Sequence, residues 1–174
     1  MANPESIPAD RRPADSTRQR AQPKLQKILA PTAFMEPSAT IEQALHLAAL
    51  AGASVVLLHV VEIPRSELNP AVFASLEAIQ SRLDRYQEQA RQRLESLCEE
   101  FRAAHIECTP SVRVGIAYEA ILEEAEAIAP DLIIIGTKAT SVRTRFLLGG
   151  TAERVVRHAP CPVLVVPQPR SQPA

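Results

Sequence analysis

Cysteine is scarce: Cys98, Cys108 and Cys161 are the whole supply in 174 residues. They form neither a CxxC pair nor a metal-ligand spacing with histidine, which suits small buried thiols in a reducing compartment rather than staples or a zinc cluster. Charge of one sign is lacking too. The formal net charge is -1, so no global field draws the chain to nucleic acid. No apolar run reaches the length of a membrane span, and the first residues hold no apolar signal core. A cytoplasmic protein without a membrane partner is expected. The motifs GxGxxG, GxxxxGK with a following Ser or Thr, HExxH and GxSxG are all absent, so dinucleotide, P-loop, zinc-protease and hydrolase-elbow chemistries lack their residues.

What remains is enough for one conventional domain, since a domain of about 150 residues buries roughly 68–70% of its unfolded surface. Residues 1–24 carry Pro4, Pro8, Pro13 and Pro23 among small and charged residues and are read as a disordered, mildly basic arm. The domain is expected over residues 25–168, with residues 169–174 as a tail. Residues 25–32, LQKILAPT, read as a first strand ended by Pro31. Ser38 can cap a helix whose apolar stripe is Ile41, Ala44, Leu45, Ala48 and Ala49, and Gly52 ends it. Residues 53–62, ASVVLLHVVE, form a second buried strand.

A long helical stretch follows over residues 69–105, with Phe73, Leu76, Leu83, Ala90, Leu94, Leu97, Phe101 and Ala104 on one stripe. Its charged face is read as solubility. Residues 106–114 alternate apolar and polar, and Pro110 among them fits an edge strand. Gly115 leads to a helix carrying Ala117, Ile121, Glu124, Ala125 and Ile128, stopped by Pro130. Strand, helix and strand alternate throughout, so right-handed parallel units are the default.

The last stretch, DLIIIGTKATSVRTRFLLGGTAERVVRHAPCPVLVV, is a strand, a loop, a helix from Thr151 to His158 and a final strand over residues 161–166. Its loop holds Gly136, Gly149 and Gly150, three of the five glycines in the chain. Lys138, Arg143 and Arg145 share that loop. Glycine backbone, a helix start and positive charge together describe an anion site, and a solvated loop is the plainer alternative. His59, His105 and His158 fall on separate elements without an obvious carboxylate, so no general base is assigned.

This stretch resembles the C-terminal signature of universal stress protein A domains. The tail AERVVRHAPCPVLVV fits over its whole length. The phosphate signature fits in part, with Gly136 and Gly149 in its first and third glycine positions, Ala139 in the second, and Gly150 where Ser or Thr is expected, Thr151 coming one place late. The resemblance implies an α/β fold: a single-domain, open, parallel five-stranded sheet, Rossmann-like in the manner of adenine nucleotide alpha hydrolases, with strand order 3-2-1-4-5. It places a nucleotide against Pro31, Thr32, Val60, Ile135, Gly136, Lys138, Ala139, Gly149, Gly150 and Thr151, and expects an aspartate where this chain has Ala33.

It also implies a homodimer paired through Val163, Leu164, Val165 and Val166 on the last strand. The function expected is a stress-response regulatory module, not a catalyst, with a degenerate ATP site. An ATP-binding, slowly hydrolysing protein is one alternative. A scaffold holding an unidentified protein partner by the long helix or the N-terminal arm is another.

Overall fold

The computed structural model describes residues 24–34, 38–62, 76–137 and 149–167. The N-terminal arm up to residue 23, the helix start at residues 69–75, Lys138, Ala139, Arg143, Arg145 and the tail lie outside them. In chain order the elements are β1 (Lys27–Pro31), α1 (Ala39–Ala51), β2 (Ser54–Val61), α2 (Leu76–Ala103), β3 (Cys108–Val114), α3 (Ala117–Ile128), β4 (Leu132–Thr137), α4 (Gly150–His158) and β5 (Val163–Pro167). The five strands make one sheet in the order β3-β2-β1-β4-β5, and each neighbouring pair is parallel. Expected architecture and strand order are both found.

Central strands are apolar because helices cover both of their faces. Ile28, Leu29 and Ala30 of β1 are fully buried, as are Ile133 and Ile134 of β4. Alternate side chains divide between two cores. Ile28, Val55, Leu57 and Ile134 join Ala44, Ala48, Leu94 and Phe101 on the α1 and α2 side. Leu29, Leu58, Ile133 and Ile135 join Ile121, Ala125 and Val155 on the α3 and α4 side. Both edges are thinner. Pro110 lies on outer strand β3 opposite Leu57, where a missing N–H costs the ladder least.

Helix ends follow local chemistry. The Ser38 hydroxyl accepts the Ile41 N–H at 3.4 Å and starts α1, while Gly52 closes it in the left-handed region at φ 66°. The α3 helix has no side-chain cap of its own at Ile116. Glu62, just past β2, supplies one from a distance by accepting the Ala117 N–H at 3.2 Å. Glu124 is buried in α3 and held by the Arg113 guanidinium of β3, with Nε to Oε2 at 2.7 Å, as a buried carboxylate requires.

Several expectations need correction. Ala49 is exposed, because the buried face of α1 centres on Thr40, Ile41, Ala44 and Ala48 and a small side chain at its margin reaches nothing. Ala104 is exposed beyond the end of α2, whereas Cys98, omitted from the stripe, is fully buried. Val114 is 37% exposed at the outer end of β3. Cys161 is half-buried while Cys98 and Cys108 are buried. The last helix starts at Gly150, one residue before Thr151. Among the described residues no helix is long and apolar enough to cross a membrane.

Candidate functional site

All strands of a parallel sheet end at one pole, and α1, α3 and α4 begin there, so helix N-termini with free N–H groups converge on it. The strand order turns back between β1 and β4, the position at which open parallel sheets leave a crevice. A cavity of about 260 Å³ lies there. Pro31 and Thr32 line it from β1, Val60 from β2, and Ile135 and Gly136 from β4. Gly149, Gly150 and Thr151 line it from the start of α4. Thus eight of the ten residues expected at the site are brought together, and the other two, Lys138 and Ala139, lie outside the described residues.

The end of β1 is held by side chains. The Thr32 N–H donates to the Leu58 carbonyl at 2.8 Å, and the Thr32 hydroxyl oxygen accepts the Phe34 N–H at 3.1 Å. Phe34 takes a left-handed φ of 55°, which costs a side chain with a Cβ roughly 1–2 kcal/mol. Its ring recovers part of that. It stacks on His59 with centroids 4.2 Å apart and planes 26° apart, and the Arg93 guanidinium of α2 sits over it at 4.5 Å. Such contacts contribute about 0.5–1.5 kcal/mol for an aromatic pair and 0.5–1 kcal/mol for an exposed cation over a ring.

His59 also bonds Thr32 directly. Its Nδ1 lies 2.8 Å from the Thr32 carbonyl oxygen, and because a carbonyl can only accept, Nδ1 carries the proton. Burial pushes the imidazole below its ordinary value of 6.5, the bond to Thr32 works the other way, and the charge of Arg93 lowers it again. A base held neutral in this way is an anchor between two strand ends, and its ring is already engaged.

The β4 side is different in kind. Gly149 has φ 75° and ψ 146°, a conformation essentially reserved for glycine. A Cβ added to Gly149 or Gly150 would meet nothing within 4 Å. What faces the cavity here is backbone, at the positive end of α4.

The polar lining is mostly hydroxyl and amide. Thr32, Ser38, Thr40, Thr137 and Thr151 contribute hydroxyls, and no lysine or arginine lines the cavity among the described residues. Among the described residues Glu62 is the acidic side chain on its wall. Ala33 lines it too, exposed, where a carboxylate was expected. Sequence reasoning gave Ser38, Thr40, Glu62 and Ala117 no place in the site. The signal that could have found Ser38, Thr40 and Ala117 is topological, since every helix in such a sheet begins at the pole where the strands end. Among the described residues, no group of three His, Cys, Asp or Glu side chains is placed to hold a metal ion.

Known proteins agree with this geometry. The family model for the universal stress protein family matches residues 24–167. The universal stress protein MJ0531 of Methanocaldococcus jannaschii is 31% identical over 147 residues, which is 84% of each chain. The solved structure of MJ0577 from the same organism superposes with a TM-score of 0.65 at 29% identity, covering 85% of this chain and 99% of that one. A universal stress protein solved in complex with cAMP shares the fold at a TM-score of 0.57 and 19% identity, over 84% of this chain and 99% of its own. With the matched segment spanning everything from β1 to β5, the chain belongs to the universal stress protein family.

Proposed function

We propose that this universal stress protein is a nucleotide-responsive regulatory module, not a catalyst, whose crevice holds ATP only weakly. The observation that carries the reading is Ala33, a methyl group on the cavity wall where a ribose-binding carboxylate is expected. Loss of one charged hydrogen bond there weakens binding by about 1.5–3 kcal/mol. The hydroxyl missing at Gly150 removes about 0.5–1.5 kcal/mol more. A left-handed backbone at Ala139, if the nucleotide requires one, adds roughly 1–2 kcal/mol. Taken as additive these reach roughly 3–6.5 kcal/mol, enough to move a micromolar site towards the millimolar range. A protein of the same fold takes up cAMP; for this chain the support is its own residues at the strand tips. Calorimetry with Mg-ATP tests the reading, with a millimolar Kd expected and a micromolar one overturning it.

Thr151 supports a second reading. It lines the cavity one place after the expected hydroxyl, so it could replace that hydroxyl in a protein that binds ATP well and hydrolyses it slowly. Nucleotide released on denaturing freshly purified protein would favour this alternative.

The assembly proposed is a homodimer. Strand β5 ends the sheet, and Val163, Leu164, Val165 and Val166 are only partly buried along it. An apolar sheet edge of this kind is a pairing hazard unless something covers it, and a second copy related by a two-fold axis does so. Size-exclusion light scattering is expected to give a dimer; a monomer at micromolar concentration contradicts it.

A further inference from the structure

We propose that Glu62 is a specificity-determining residue that reads the base of the bound nucleotide by accepting a hydrogen bond from an exocyclic amino group, as adenine offers. This rests on the nucleotide reading above and adds which chemical edge the site selects. The cavity crosses the tips of β2, β1 and β4 in that order, two strand spacings of about 4.8 Å each. Its two ends differ: each has a helix N-terminus, but among the described residues only the β2 end carries a carboxylate. Beyond β4 stands the α4 N-terminus, with Gly149 and Gly150 presenting bare backbone, a place for an anion. Beyond β2 stands the Glu62 carboxylate, which repels one. A nucleotide lying across the sheet therefore puts phosphate at the β4 end and base at the β2 end, beside the apolar side chain of Val60.

The carboxylate is exposed at the rim of the cavity and held there by one bond. Its Oε1 accepts the Ala117 N–H at 3.2 Å, and Ala117 itself lines the cavity. Its Oε2 has no hydrogen-bond partner among the described residues. An ionised carboxylate accepts and never donates, so the base edge it favours must bring N–H groups. The 6-amino group of adenine does, whereas a base lacking it leaves the oxygen unmatched.

The plainer role for Glu62 is to cap α3 and nothing else, and one experiment separates the two. Full-length protein is titrated by 15N NMR with AMP and with purine riboside 5′-monophosphate, which differs by lacking the amino group. Wild type is expected to favour AMP about tenfold or more, and E62A to bind both equally. A cap-only residue changes both affinities alike and leaves the ratio as it was, which would overturn the proposal even if E62A is less stable. Equal binding of the two ligands to wild type overturns it also. If neither nucleotide shifts any cavity resonance of wild type even at millimolar concentration, the nucleotide reading itself fails and this assignment with it; AMP binding without discrimination removes the role of Glu62 alone.

Discussion

The two strand tips that bound the crevice are built in opposite ways. At β1 the chain leaves the sheet through Thr32, Ala33 and Phe34, and side chains from β2 and α2 tie it down. At β4 it leaves through Gly136 and Thr137 and re-enters the described structure at Gly149, where an added Cβ would meet nothing within 4 Å among the described residues. The first tip is held by side-chain contacts and, among the described residues, has no carboxylate; the second keeps the open backbone an anion needs. The contrast teaches that the part of the site made of backbone survives here and the part made of one side chain does not. On the proposed reading, weak binding would follow from a missing group, with no collapse of the crevice.

Restoring the missing group is the sharpest way to test that contrast. Ala33→Asp adds a carboxylate at an exposed position on the cavity wall, and should tighten ATP by about 1.5–3 kcal/mol, roughly ten- to a hundredfold. Gly149→Ala attacks the other tip. It should cost about 1–3 kcal/mol of stability in urea titration, because φ 75° with ψ 146° is strained for any residue with a Cβ. Unchanged stability would mean that the α4 start adapts freely. Gly150→Ser restores a hydroxyl where space is open and should gain about 0.5–1.5 kcal/mol in ATP binding with the fold undisturbed. No gain would favour Thr151 as the working hydroxyl.

The smallest effect concerns the anchor at β1. Burial lowers the His59 pKa in the folded state, so between that lowered value and the unfolded value near 6.5 the unfolded chain binds more protons. The contribution of His59 is fully present above pH 6.5 and is lost as pH falls through the folded pKa. Melting temperature should therefore drop more steeply from pH 7 to 5 in wild type than in His59→Gln. Parallel curves would show that His59 does not titrate against the fold.

Much of this architecture was readable from the chain. Runs such as SVVLLHVV and LIIIG alternate with helical stripes, Gly52 and Pro130 end helices, and the edge position of β3 was marked by Pro110. The strand order came from the family resemblance, and the crevice between β1 and β4 appears only once that order is assembled. What could not be read depends on residues distant in sequence. Phe34, His59 and Arg93 meet only when β1, β2 and α2 are assembled, and nothing in the tetrapeptide PTAF foretells a left-handed phenylalanine. Glu62 reads as the polar end of a strand; its bond to Ala117 spans 55 residues. Ala49 misled because alanine carries little preference between a helix margin and its centre.

The most direct measurement compares wild type and Ala33→Asp side by side in calorimetric titrations with Mg-ATP. A millimolar Kd for wild type that falls at least tenfold on restoring the carboxylate is the predicted result. A micromolar Kd for the unaltered chain, unmoved by the substitution, would contradict the claim that the carboxylate missing at Ala33 is the largest loss at this site.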